Sequence, residues 1–221
     1  IREYLQPVYD LERLAGRISY KTANPRDLLA FAASLRMLPP IKQQLADFKG
    51  SLLKELYDEL DTLDDLEALI SSAIIEDPPL VIREGGIIKD GYNEDVDKLR
   101  RSKTEGKNWL AELEAKERER TGIKTLRVRY NKVFGYYIEV SKGNSRQVKE
   151  EFGWERKQTL ANNERFITPE LKEKEQLILG AEEKIINLEY ELFTNIRCKV
   201  KEVIPTIQLT AKMVAKLDVM I

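Results

Sequence analysis

The segment from Thr125 to Thr168, TLRVRYNKVFGYYIEVSKGNSRQVKEEFGWERKQTLANNERFIT, interrupts a chain that is otherwise helical in pattern. Its first seven residues, TLRVRYN, alternate apolar with polar side chains, and this period of two predicts a strand with one buried face and one basic face. The expected buried set is Leu126, Val128 and Tyr130, and the expected exposed set is Arg127, Arg129 and Asn131.

A second strand is predicted over GYYIEVS, residues 135–141, where the same alternation resumes. Gly135 stands between the two runs and can adopt the positive φ that a tight turn needs, so the pair is expected to form a hairpin. After a break at residues 142–145, an extended polar run covers residues 154–167. The segment therefore predicts a small antiparallel sheet of three strands.

Long helical patterns flank this sheet segment on both sides. Residues 93–120 and 168–203 each carry a seam of apolar or small residues that repeats in steps of three and four. Each helix is expected to be about 40 to 50 Å long, and the two are expected to pair antiparallel. The predicted fold class is mostly α: a helical core with a long antiparallel helix pair that carries a small antiparallel β-sheet insertion.

The remainder of the chain predicts a helical bundle with one short hairpin. Asn24 and Pro25 have the residue types of an N-cap and a first helical position, so a helix is expected to begin there and to end at Pro39-Pro40. The pair Gly85-Gly86 lies between two apolar runs and predicts a two-residue hairpin turn. Thr168 and Pro169 mark the start of the second long helix in the same way as Asn24 and Pro25.

Charge is unevenly distributed along the chain. Residues 121–168 contain ten Lys or Arg and five Asp or Glu, a net charge of +5, whereas the whole chain has −1 and the remainder therefore −6. A basic segment of this kind favours a polyanionic partner, because contacts to phosphates release counterions. The alternative is that these cations are only the solvated face of a small sheet.

Composition excludes several classes of function. The chain has no His and one Cys, which leaves no His-dependent catalytic group and no zinc ligand set, and it lacks the G-x-x-x-x-G-K-[ST] loop of a phosphate-binding NTPase. Adjacent carboxylates such as Glu150 and Glu151 are the best enzyme candidates, but they lie in a charged, surface-type stretch. No metal site or disulfide is predicted. Neither a membrane span nor a signal peptide is recognisable, and we expect a cytoplasmic protein.

Two strings, RERTGIKTLRVRYNKVFGYYIEVSKGN and RKQTLANNERFITPELKEKE, resemble the MutS family of DNA mismatch-repair proteins. The strings YDLERLAGRI, TANPRDLLAF and IREGGIIKDGYNEDVDKLR resemble the middle region of the same family. The resemblance covers essentially the whole chain. It implies core and lever regions at residues 1–116 and 176–221, with a clamp domain inserted at residues 117–175.

The resemblance also implies a partner and a set of contact residues. The clamps of a homodimer close around duplex DNA, and the family's backbone contacts lie near the ANNER turn. Carried over by position, the DNA-binding candidates are Asn162, Arg165, Lys157, Arg156, Lys132, Lys142, Asn144 and Arg146. Ala161 departs from the basic residue that is often found there. ATP and Mg²⁺ belong to a part of the full-length protein that this sequence does not contain, so no cofactor is expected here.

Three functions stay open at this point. The first is a non-enzymatic fragment that binds the backbone of duplex DNA without sequence specificity. The second is a coiled-coil module for structure or protein interaction, which a hydrophobic tip would favour. The third is an RNA-binding arm, because no residue pattern distinguishes a reader of the 2′-hydroxyl.

Overall fold

The computed structural model describes residues 1–48 and 50–220, which fall into two compact units. We call residues 1–93 with 186–221 the helical unit and residues 94–185 the sheet unit. The predicted fold class is confirmed: the protein is mostly helical, with one small antiparallel sheet. The domain limits implied by the resemblance, at residues 116/117 and 175/176, stay a prediction.

The helical unit contains short helices joined by tight turns. They are α1 (Arg2–Leu5), α2 (Leu11–Ser19), α3 (Pro25–Leu35), α4 (Leu38–Leu45), α5 (Ser51–Glu59), α6 (Asp64–Ala73), the second part of α8 (Pro169–Glu202) and α9 (Ile204–Met220). Helix α3 begins as predicted, with Asn24 and Asp27 forming a capping box in which each side chain accepts from the other's backbone N–H. Pro39 and Pro40 do not end a helix but lie in the first turn of α4, where a missing N–H has no cost.

Two apolar clusters form the core of the helical unit. The larger one joins α2, α3 and α6 to the second part of α8 and to α9 around Phe31 and Phe193, both fully buried. Two charged residues of α8 are also buried there, and each bonds to a backbone loop. Arg197 donates from Nη1 to the carbonyl of Lys21 at 2.8 Å, and the Glu189 carboxylate accepts from the Ile87 N–H at 3.0 Å.

The predicted hairpin at Gly85-Gly86 is wrong. Residues 82–84 form a 3₁₀ turn, Leu80 is exposed, and residues 87–89 pair instead with residues 73–75, where the Ile75 N–H donates to the Ile87 carbonyl at 2.9 Å. Burial explains the difference. Ile87 and Ile88 are buried in the core, whereas Leu80 and Val81, in the run before the glycines, stay at the surface. Gly85, at φ +73°, is needed for another reason: a β-carbon there would approach Ile186 to 3.0 Å.

The sheet unit contains helix α7 (Glu94–Thr121), the first part of α8 and four strands. The strands are β1 (Arg127–Asn131), β2 (Gly135–Ser141), β3 (Glu155–Thr159) and β4 (Asn163–Ile167). All neighbouring strands are antiparallel, in the spatial order β1-β2-β4-β3. One face of the sheet packs on the helices through Ile138, Val140 and Phe166, together with Leu110 and Leu171.

The predicted antiparallel helix pair is present in the sheet unit. Lys103 forms an ion pair with Glu182 at 2.8 Å, and Gly106 faces Ile178 so closely that a β-carbon would come within 2.5 Å of it. Partner numbers fall as α7 numbers rise, which defines an antiparallel pair. Helix α8 begins as predicted, with the Leu171 N–H donating to Thr168 Oγ1 at 3.1 Å.

The sheet has four strands rather than the three predicted, because residues 155–167 fold back on themselves. The Leu160 N–H donates to the Asn163 carbonyl at 2.8 Å and closes a turn between β3 and β4. No Gly or Pro marks this turn, so the run reads as one continuous strand. Tyr130, expected in the core, is 47% exposed at the end of β1, whereas Tyr137 is buried although it lies on the opposite face of β2 from Ile138.

Charged side chains occupy both edges of the sheet. At the β1 edge, Glu114 of α7 accepts from the Val128 N–H at 2.8 Å, and Arg118 donates to the Leu126 carbonyl at 2.8 Å. At the β3 edge, the pairing register shifts between Arg156 and Gln158, which marks a bulge.

Candidate nucleic-acid interface

The predicted contact residues lie at both ends of the sheet. Lys132 is exposed in the turn between β1 and β2, beside the Phe134 carbonyl that accepts a hydrogen bond from Lys172 of α8. Lys142 and Asn162 lie at the opposite end of β2, a distance of about 20 Å at the rise of an extended strand. A single compact site therefore does not include Lys132.

The second end of the sheet, which we call the loop end, consists of residues 142–147 and 160–162. The Lys142 N–H donates to the Asn162 carbonyl at 2.8 Å, and this bond holds the 3₁₀ turn after β2 against the turn between β3 and β4. Lys142, Arg146 and Asn162 are all exposed. The loop end therefore carries two exposed cations and an exposed amide on two turns that a backbone hydrogen bond joins.

Asn144 has a structural position within the loop end. Its Nδ2 donates to Thr125 Oγ1 at 2.7 Å, and its Oδ1 accepts from the Gln147 side chain at 3.1 Å. These bonds join the 3₁₀ turn to Thr125 and within itself, so Asn144 stabilises the turn in this structure.

Arg156 and Lys157 extend the basic surface along strand β3. Arg156 is 57% exposed and pairs with Glu164 at 3.1 Å, and Lys157 is 39% exposed and pairs with Glu155 at 2.7 Å. Both cations are accessible, but each has a carboxylate neighbour that offsets part of its charge.

Arg165 is enclosed by other residues of the sheet. Its side chain is only 18% exposed; Nη1 donates to Gln158 at 2.9 Å, and the guanidinium stacks on the Tyr137 ring at 4.6 Å from the centroid. Its Nε is buried 3.5 Å from Glu139 without a good hydrogen bond. Arg165 therefore organises the outer face of the sheet, and it also explains why Tyr137 is buried there.

Two arginines that were absent from the candidate set lie on the same outer face. Arg127 and Arg129 of β1 have side chains that are 49% and 59% exposed. The alternation in TLRVRYN does place them on the exposed side of a strand, but the resemblance supplies no contact residue from β1. The arginines of β1 are thus the part of the basic surface that the candidate set lacks.

The candidate carboxylates for an enzyme do not form a pair in a cleft. Glu150 and Glu151 lie in an exposed 3₁₀ turn, and Glu151 pairs with Lys149 at 3.2 Å. Tyr136 of the sheet unit has a raised pKa. Burial is the largest cause, followed by the charge of Glu182, the neighbouring Tyr130 and Glu175. Tyr136 therefore stays a neutral phenol at physiological pH.

Together, the helix pair, the antiparallel sheet and the basic loop end define a helical protein with an inserted β-sheet module. The model of MutS family domain IV matches residues 91–184, a range that contains nearly all of the sheet unit. The chain belongs to the MutS family.

Relatives named DNA mismatch repair protein MutS match essentially the whole chain. The protein from Lachnoclostridium phytofermentans is 59% identical over 99% of this chain, and the one from Caldanaerobacter subterraneus subsp. tengcongensis is 58% identical over 100%. The protein from Halothermothrix orenii is 53% identical over 100% of this chain. The chain spans 23%, 25% and 24% of the lengths of these three relatives, respectively. Among the described helices, none is long and apolar enough to cross a membrane.

Proposed function

We propose that the sheet unit binds the phosphate backbone of duplex DNA through its loop end, as one part of a DNA mismatch-repair protein. The observation that supports this proposal is the Lys142–Asn162 backbone hydrogen bond, which joins the two turns that carry the exposed residues Lys142, Arg146 and Asn162. Two cations and an amide donor are groups that contact phosphate oxygens, and such contacts position a protein on DNA without reading its sequence. The name of the relatives supports duplex DNA as the polyanion.

The roles of the candidate residues differ in this proposal. Lys142, Arg146 and Asn162 contact phosphates, and Arg156 and Lys157 add positive charge at the edge of the same surface. Asn144 and Arg165 act by positioning, since Asn144 bonds to Thr125 and Gln147 and the largely enclosed Arg165 bonds to Gln158. Lys132 lies at the other end of the sheet and contacts the same duplex only where the DNA extends along the sheet.

The complete family protein supplies the other activities. Homodimer formation, ATP hydrolysis with Mg²⁺ and recognition of the mismatch belong, in this proposal, to the full-length protein. The sheet unit therefore has no catalytic role of its own and binds matched and mismatched duplexes equally, because backbone contacts carry no base information.

A titration with labelled duplex DNA across a salt series tests the proposal. The double variant K142A/R146A is expected to lower the slope of log K against log salt by about 2, since each phosphate contact contributes about 0.9. The matched control is K212A/K216A, which removes the same charge from exposed positions on α9 of the helical unit and is expected to keep the slope.

Further arms of the titration separate the other functions. Tighter binding of duplex RNA than of duplex DNA would favour the RNA-binding alternative, and absence of salt-dependent binding to both would favour a protein-interaction module. A clear preference for a mismatched duplex, or equal slopes in K142A/R146A and its control, would contradict the proposal.

A further inference from the structure

A row of charged residues crosses the outer face of the sheet, on the side away from helices α7 and α8. Glu139 of β2 is paired in register with Arg127 of β1 on one side and with Arg165 of β4 on the other. Neighbouring strands lie about 4.8 Å apart, so this row spans about 10 Å. Arg129, two residues along β1 from Arg127, lies on the same face.

Glu139 is shared between two cations. Its carboxylate lies 3.2 Å from Arg129 Nε and 3.5 Å from Arg165 Nε. Arg165 also has Gln158 and the Tyr137 ring as partners, whereas Glu139 is the one carboxylate within 4 Å of Arg129 among the described residues. The single negative charge of Glu139 thus neutralises only part of the charge of Arg129 and Arg165. Of these two arginines, Arg129 is the more exposed.

The second carboxylate near this surface is shared as well. Glu114 lies 3.6 Å from Arg127 Nη1, but it also forms an ion pair with Arg118 and accepts the Val128 N–H. The four arginines at positions 118, 127, 129 and 165 therefore have two glutamates, at 114 and 139, among them. This group of six residues keeps a surplus of two positive charges, and the exposed guanidinium groups of Arg127 and Arg129 on the outer face carry most of it.

We infer that this outer face is a second phosphate-contacting surface for the same duplex, in which Arg127 and Arg129 bind the backbone and Glu139 weakens the binding by competing for Arg129. The inference rests on the proposed function. Arg127 and Arg129 are the accessible cations of this face, at 49% and 59% side-chain exposure, and an extended, rod-like polyanion can reach both along β1. Glu139 then acts as an internal substitute for a phosphate oxygen, and DNA must displace it from Arg129.

Two variants test the inference with labelled duplex DNA in the same salt series. R127A/R129A is expected to lower the slope of log K against log salt by about 2, because it removes two contacts. Glu139→Gln is expected to bind several-fold more tightly than the unmodified chain, because the competing charge is gone while the side chain keeps its size. A merely structural role for Glu139 would give weaker or unchanged binding.

The outcomes separate the inference from the proposed function. Circular dichroism melting first shows that each variant is folded. A reduced slope for K142A/R146A with an unchanged slope for R127A/R129A would overturn the inference alone, as would a Glu139→Gln variant that is folded and binds no more tightly. If the unmodified chain shows no salt-dependent binding to duplex DNA, the proposed function itself fails.

Discussion

Glu175 of α8 occupies the space beside Gly135 where any other residue would have its β-carbon. Gly135 begins β2 at φ +73°, and the Glu175 carboxylate lies against it while accepting the N–H of Tyr136. Lys172 of α8 donates to the Phe134 carbonyl in the same turn. These bonds attach the turn between β1 and β2 to the first part of α8, so the sheet and the helix pair are joined by specific polar contacts as well as by their apolar core.

Gly135→Ala is expected to destabilise the sheet unit by about 2 to 4 kcal/mol. Positive φ costs a residue with a β-carbon about 1 to 2 kcal/mol, and the displaced Glu175 leaves the Tyr136 N–H without its acceptor. Urea denaturation followed by circular dichroism measures the loss. The matched control is Gly153→Ala, which has φ +68° but open space around the β-carbon and is expected to show the φ cost alone. Equal losses in both variants would contradict the steric role of Glu175.

Arg165→Ala is expected to lower the free energy of unfolding of the sheet unit by about 1 to 3 kcal/mol. The variant removes the bond to Gln158 and the cover of Tyr137, and it leaves the Glu139 carboxylate with fewer partners. Arg146→Ala, at an exposed position of the loop end, is the comparison and is expected to stay within about 0.5 kcal/mol of the unmodified chain. Chemical denaturation of both variants decides whether Arg165 positions the outer face.

Glu67 on α6 predicts a dependence of stability on pH in the helical unit. Burial raises its pKa, but hydrogen bonds from Ser71 and Arg36, with the charge of Arg36, outweigh burial and hold the pKa below its ordinary value. A lowered folded-state pKa means that the stabilisation is present above the unfolded pKa and is lost as pH falls through the folded value. In the Arg36→Met variant, the free energy of unfolding is therefore expected to fall less steeply with decreasing pH below about pH 4.5. Above pH 6 its dependence on pH is expected to be unchanged. Thermal melts across this pH range measure the stability of both proteins. If the variant loses stability at acidic pH as the unmodified chain does, Glu67 is not the group responsible.

Local patterns in the chain carry enough information to predict most of the fold. Side-chain periods predict the strands TLRVRYN and GYYIEVS and the seam of α7. The turn at Gly135 follows from the ability of glycine to adopt a positive φ. The caps at Asn24 and Thr168 are confirmed for the same reason, because a capping bond joins residues three apart in sequence.

Features that depend on distant residues could not be predicted in this way. Residues 87–89 pair with residues 73–75 because Ile87 and Ile88 are buried in the core, where Glu189, about 100 residues further along, accepts the Ile87 N–H. The turn between β3 and β4 is a local exception: its closing bond joins Leu160 and Asn163, three residues apart, but no Gly or Pro marks it. For the candidate site, the sequence is enough to locate the cations. It does not predict that Arg165 is enclosed, because its neighbours Glu139, Gln158 and Tyr137 lie on other strands of the sheet.

The occupied edges of the sheet have a consequence for self-association. An open sheet can recruit a strand from another chain through free backbone groups on its edges, which leads to aggregation. Here Glu114 and Arg118 engage backbone groups at and next to the β1 edge, and the bulge between Arg156 and Gln158 disrupts the β3 edge among charged side chains. Charged side chains of both signs thus protect the sheet against edge-to-edge polymerisation, and a small sheet can stay solvent-exposed at high protein concentration.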